Sequence, residues 1–173
     1  MIRWIACLIA VSLIGSTLSA GPDIFLAESE MTLLARYAVG VLAPVPLGFV
    51  PGTAIFDPGT PKASRKARWI GRVWKGKVFT ADGRMINRLP VGLEAVTARV
   101  ESGASWYDGQ PTLIFDYQGE SRVFGHVRDE VREIAPGLYL GLTYLRQKCG
   151  PPKLSNFFIL DARCGCSHPG DAP

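Results

Sequence analysis

From about Ala67 onward the chain is cut into short segments rich in β-branched and aromatic residues, each bounded by Gly, Asp or Pro. The segments are "ARWIGRVWKGKVF" (67–79), "GLEAVTARVE" (92–101), "TLIFDY" (112–117), "RVFGHV" (122–127), "LYLGLTYLR" (138–146) and "NFFILDA" (156–162). Between them stand "ADGR" (81–84), "SGASWYDGQP" (102–111) and "QGES" (118–121), whose compositions favour turns. No repeat and no strand–helix alternation is present, so a doubly wound sheet is not expected. Short strands with such punctuation predict an antiparallel sandwich or barrel.

The alternation within strands separates the two. In "TLIFDY", Leu113, Phe115 and Tyr117 share one face, and Thr112, Ile114 and Asp116 the other. In "RVFGHV", Arg122, Phe124 and His126 alternate with Val123, Gly125 and Val127. Both faces mix apolar and polar side chains. A sandwich calls for one clean apolar face, whereas a barrel around a partly polar cavity does not. We therefore expect a mainly β fold, with an antiparallel barrel over residues 67–162.

The first twenty residues read differently. "MIRWIACLIAVSLIGSTLSA" has an early cation at Arg3, an apolar run from Trp4 to Ile14, and small residues ending at Ala20. This is the layout of a cleaved signal peptide, with an uncleaved inner-membrane anchor as the alternative. The apolar run is shorter than the roughly 20 residues that a spanning helix needs. We expect a periplasmic or secreted protein. Residues 21–66 read as a short helix and a Pro/Gly-rich linker, the helix capped by Ser29 and carrying Leu33, Leu34, Tyr37, Val41 and Leu42 at near-helical spacing. Residues 163–173 read as a flexible tail.

Export makes a disulfide the default for Cys149, Cys164 and Cys166. Pairing Cys149 with either of the others closes a loop of about fifteen residues, worth on the order of 3 kcal/mol in the chain-entropy model. The tail "CGCSHPGDAP" gives Cys164, Cys166 and His168 no rigid frame, so no metal site is expected, and nothing in the sequence asks for a cofactor. The formal net charge is +4. One basic run, "PKASRKAR" (61–68), lacks interleaved aromatics, which argues against a nucleic-acid partner. It reads as a solvated loop, with peripheral contact to anionic lipid headgroups as the second reading.

The pattern "WKGKVF" (74–79), Asn87, "SWYDGQP" (105–111), "FDY" (115–117), "RDEVREIAPGLYLG" (128–141) and "FFIL" (157–160) resembles a family of uncharacterised exported bacterial proteins. The resemblance spans about residues 68–161 and implies a small lipocalin-like β-barrel. The order of these elements also resembles the family named for a G-x-W-x-G motif, although Gly71-Arg72-Val73-Trp74-Lys75-Gly76 holds one extra residue. Neither resemblance brings an activity, so function must come from the residues.

Trp74, Trp106, Tyr117 and Tyr139 are amphipathic aromatics suited to lining a pocket whose ligand they orient by their polar tips. His126, Arg128 and Arg132 are expected near its polar end. Lys75 and Lys77 read as outward, solvated residues. The stretch 127–134 fits either a helix or a strand, and in both its charges neutralise one another before a turn at Pro136-Gly137. We expect a binder of an apolar or lipid-like small molecule. The alternatives are a small periplasmic enzyme using Asp116, His126 and Tyr117 on a lipid or ester-like substrate, and an envelope structural or interaction protein. For His126 itself, a buried hydrogen-bonded role competes with catalysis.

Overall fold

The computed structural model describes residues 21–164. Eight antiparallel strands form a closed up-and-down barrel: β1 (Gly48–Ile55), β2 (Gly76–Phe79), β3 (Arg84–Arg88), β4 (Glu94–Ala104), β5 (Pro111–Asp116), β6 (Val127–Ala135), β7 (Leu138–Leu145) and β8 (Lys153–Asp161). Each strand pairs with the next, and β8 returns to β1 through Gly52↔Leu160 to Ile55↔Phe157. Two helices accompany it, α1 (Glu30–Val39) and α2 (Pro61–Ile70). The expectation of a mainly β antiparallel barrel is met.

Alternation along β7 builds two apolar layers. Leu138, Leu140, Leu142 and Tyr144 point outward and pack with Leu33 and Tyr37 of α1, Ala63 and Ala67 of α2, and Phe157 and Ile159 of β8. Tyr139 points inward with Val50, Phe79, Met85, Phe115, Val131, Phe158 and Leu160. At Gly141 an added Cβ would lie 2.1 Å from the Phe158 ring of the paired strand. The glycine thus lets that ring cross the barrel interior.

Several expectations need correction. "PKASRKAR" is not a loop: Thr60 caps α2 through its hydroxyl and Pro61 occupies the first turn, where its missing N–H costs nothing. Only Ala63 and Ala67 are buried on this helix, so its core-facing seam carries no large apolar residue. Of segment 67–79, just Gly76–Phe79 is strand. The prolines after α1 do not merely end a helix, because Gly48–Ile55 supplies β1, and Arg84–Arg88 supplies a further strand. The barrel therefore begins well before residue 67. "RVFGHV" is mostly turn, with β6 starting at Val127, and the open choice over 127–134 resolves to strand.

Ser29 caps α1 as expected, its hydroxyl accepting from the Thr32 N–H at 3.1 Å. The helix stops at Gly40, and Val41 bridges to Glu133. One end of the barrel is closed by the segment that follows. Ala43 and Val45 pack on the inner layer, and the Tyr139 hydroxyl donates to the Pro44 carbonyl at 2.8 Å. The opposite end carries the β1–β2, β3–β4, β5–β6 and β7–β8 connections and is where the interior opens. The expected signal peptide and Cys166 lie outside the described residues, as does the side chain of Cys164; Cys149 is an exposed free thiol.

Candidate functional site

Lys77 follows Gly76 in β2 and shares its face with Phe79, which places its side chain inside the barrel. It is 3% exposed, against the expectation of a solvated residue. Its ammonium donates to Asp129 Oδ2 at 3.0 Å, the Tyr117 hydroxyl at 2.8 Å and Asn87 Oδ1 at 3.1 Å, filling its three donor positions. Four rings enclose it, Phe158, Phe115, Tyr117 and Trp74, with centroids 5.2–5.7 Å from the nitrogen. Asp129 is satisfied independently by Tyr117, which donates at 3.0 Å, and by Thr143, which donates at 2.8 Å. Trp74 fixes Asn87 by donating to its Oδ1 at 2.9 Å.

Burial pulls the Lys77 ammonium below its ordinary value, opposed by the charge and hydrogen bond of Asp129. Burial, then the neighbouring Asp129 carboxylate, holds the Tyr117 phenol well above the usual tyrosine range. Both shifts follow from charges held in a low-dielectric interior.

This cluster is the floor of a cavity of about 410 Å³ at the open end. Its walls are mostly apolar: Ala54, Phe56, Ile70, Leu89, Val96, Phe124 and Leu145 rise toward the rim. Two irregularities shape it. The register between β3 and β4 shifts at Ile86/Asn87, leaving Val96 as an extra residue with φ +66°. Its carbonyl, turned out of the ladder, accepts from Asn87 Nδ2 at 3.1 Å. A second shift at Thr143/Tyr144 leaves Ser155 unpaired at the rim. Bulges commonly re-aim side chains beside binding sites, and these two flank the cavity.

Of the residues expected to bind ligand, Trp74, Tyr117 and His126 line this cavity. His126 is exposed at the rim rather than buried. Tyr139 faces the interior but sits toward the closed end. Trp106, Arg128 and Arg132 lie on the outside of the barrel. There residues 105–110 fold back over β6, and Glu130 accepts from Ser105 at 2.6 Å, the Trp106 N–H at 2.8 Å and Arg128 at 3.0 Å. The Arg128 guanidinium stacks 4.2 Å from the Trp106 ring. Arg132, 1% exposed, grips Asp108 with two bonds of 2.7 and 2.6 Å and also reaches the carbonyls of Tyr37, Gln110 and Pro111. These charges join the hairpin loop and α1 to the barrel wall.

Asp116 and Tyr117 fall on opposite faces. Asp116 accepts from Arg146 at 2.8 Å and from the Gln118 N–H, so the trio Asp116–His126–Tyr117 does not converge. The residues that sequence reasoning missed are Lys77, Asp129, Asn87 and Thr143. Their signal was opposite charges on the apolar faces of two strands, Lys77 beside Phe79 and Asp129 between Val127 and Val131.

Fold and site together define a closed eight-stranded barrel with one open end and a polar floor beneath apolar walls. No family model matches the chain, and no curated protein matches it. Among solved structures it is similar to a protein from Thermomonospora curvata, at 22% identity over 78% of this chain and 88% of that one, with a TM-score of 0.49. That likeness is too distant to bear on function.

Proposed function

We propose that this protein is an exported carrier or binder of a small, uncharged, amphipathic molecule, held with its polar group on the Lys77–Asp129–Tyr117 floor. The observation that carries this is the cavity of about 410 Å³, with mostly apolar walls above a polar floor. Its volume falls in the range of roughly 300–1,000 Å³ usual for ligand pockets. An up-and-down closed meander of eight strands is also the arrangement of lipocalin-like barrels, some of which hold one small ligand between their sheets. The opposite charges of Lys77 and Asp129 cancel, so a carboxylate or ammonium head would add an uncompensated buried charge. A hydroxyl, ester or carbonyl head would not.

Fluorescence of the neutral probe N-phenyl-1-naphthylamine tests this. The wild-type protein should bind it, dodecanol should displace it, and dodecanoate should need about tenfold more, an amount equal to roughly 1.4 kcal/mol. Ala54→Phe, which fills the cavity wall, should lose the probe while still melting cooperatively. Probe binding unaffected by Ala54→Phe, or a preference for dodecanoate, overturns the reading.

A further inference from the structure

The open end of the barrel carries an unusual rim. Trp69 and Val73 stand beside Ile70 and Trp74 at the end of α2, and are 62% and 48% exposed. Val91 and Leu93 in the β3–β4 connection are 103% and 58% exposed, and Val123 and Phe124 in the β5–β6 connection 72% and 42%. Neighbours of all three groups, Ile70, Leu89 and Phe124 among them, line the same cavity, so the groups surround one mouth. Val91 is also strained, a β-branched residue at φ +53° at a loop tip with its side chain wholly in solvent. Residues held in such conformations cluster at functional sites.

The unpaired charge of this rim is positive. Arg65, Arg68 and Arg72 are exposed along or just after α2 and pair with no carboxylate among the described residues. The acids of the mouth are already engaged, Asp57 by Lys66 at 2.6 Å, Glu94 by Arg88 at 2.8 Å, Asp116 by Arg146 at 2.8 Å and Glu120 by Arg99 at 3.5 Å, while Arg68 shares a separate recess with Asp23. A shallow apolar recess formed by Phe56, Trp69 and Ile70 lies between Arg65 and Lys66. Aromatic and aliphatic tips flanked by cations match the two layers of an anionic membrane surface, acyl chains beneath phosphates.

We propose that the barrel docks mouth-first on an anionic lipid bilayer, inserting Trp69 and the Val91 loop tip while the α2 arginines meet headgroup phosphates. The docking does not depend on the ligand reading, though it would set the cavity mouth against a source of lipid.

Vesicles of phosphatidylcholine with brominated acyl chains, with or without phosphatidylglycerol, test this on the full chain. Bromine quenches only a tryptophan in contact with the acyl layer, and subtracting the emission of Trp69→Phe isolates Trp69 whatever the rest of the chain does. Trp69 should be quenched on anionic vesicles and not on zwitterionic ones. Raising salt from about 0.1 M to about 1 M, which shortens the Debye length from roughly 10 to 3 Å, should relieve the quenching. Arg65→Glu, beside Trp69, should weaken it by at least about fivefold, the worth of one cation near such a surface. Val91→Asp should relieve it, whereas Val39→Asp on exposed α1 should not. Quenching that is absent, equal on both vesicle types, or equally sensitive to Val39→Asp overturns the proposal. So does concentration-dependent self-association abolished by Val91→Asp with Trp69 unquenched, which would make the rim a protein interface.

Discussion

Replacing Lys77 by Met keeps most of the side-chain volume and the contacts with four rings but removes the cation bonded to Asp129. Asp129 and Lys77 are each 3% exposed, so the loss leaves a carboxylate in the barrel interior. Breaking a buried pair in this way typically costs about 3–5 kcal/mol. Tyr117 and Thr143 still donate to Asp129, which places the cost near the lower end, about 3 kcal/mol. For a chain of this size each kcal/mol lowers the melting temperature by roughly 2–4 °C, giving a fall of about 6–12 °C. The pair Lys77→Met/Asp129→Asn removes both charges and should recover most of it. Circular-dichroism melts of the two single variants and the double form a thermodynamic cycle. A Lys77→Met melt within about 2 °C of wild type, or a double variant as unstable as the sum of the singles, would mean that the buried pair is not what the geometry describes.

The remaining predictions concern the barrel's other polar joints. Gly137 has φ +71° at the β6–β7 turn, and an added Cβ would meet Arg163 Cγ at 3.1 Å, so Gly137→Val should cost about 1–3 kcal/mol. Glu133→Gln keeps the oxygen that accepts from the Gly137 N–H and should cost less than about 1 kcal/mol in the same urea titration; the reverse order would show that the turn depends on charge. The hydrogen bonds from Arg132 hold the Asp108 carboxyl below its ordinary 3.8. A carboxyl lowered by folding stabilises above its unfolded value, and that contribution disappears as pH falls through the folded value. The stability gap between wild type and Asp108→Asn should therefore be constant near neutral pH and narrow below about pH 4, as read from melts across that range.

How much of this was legible depends on whether a signal was local. The Ser29 cap and the Pro136-Gly137 reversal were readable, because caps and turns involve only neighbours in the chain. The strands β1 and β3 were obscured by Pro51 and by brevity, and α2 by a buried seam made only of alanines. The placing of Arg128 and Arg132 at the polar end of a pocket failed for a non-local reason, since with Glu130 they lie on the outer face of β6. A hairpin loop some twenty residues away covers them, turning surface charge into a buried network.

Sequence alone pointed to short antiparallel strands in a sandwich or a barrel, since the period of its side chains and the placing of its turns are local signals. It read Lys77 as solvated and left the stretch around Asp129 open between helix and strand. Only closure of β8 onto β1 decided which face is interior, and only register across four strands brought Lys77, Asn87, Tyr117 and Asp129 within 3.3 Å of a partner. The physical reason is range. Strand propensity is settled over a few residues, whereas a buried ion pair forms between groups 52 positions apart and exists only once the chain has excluded water from both.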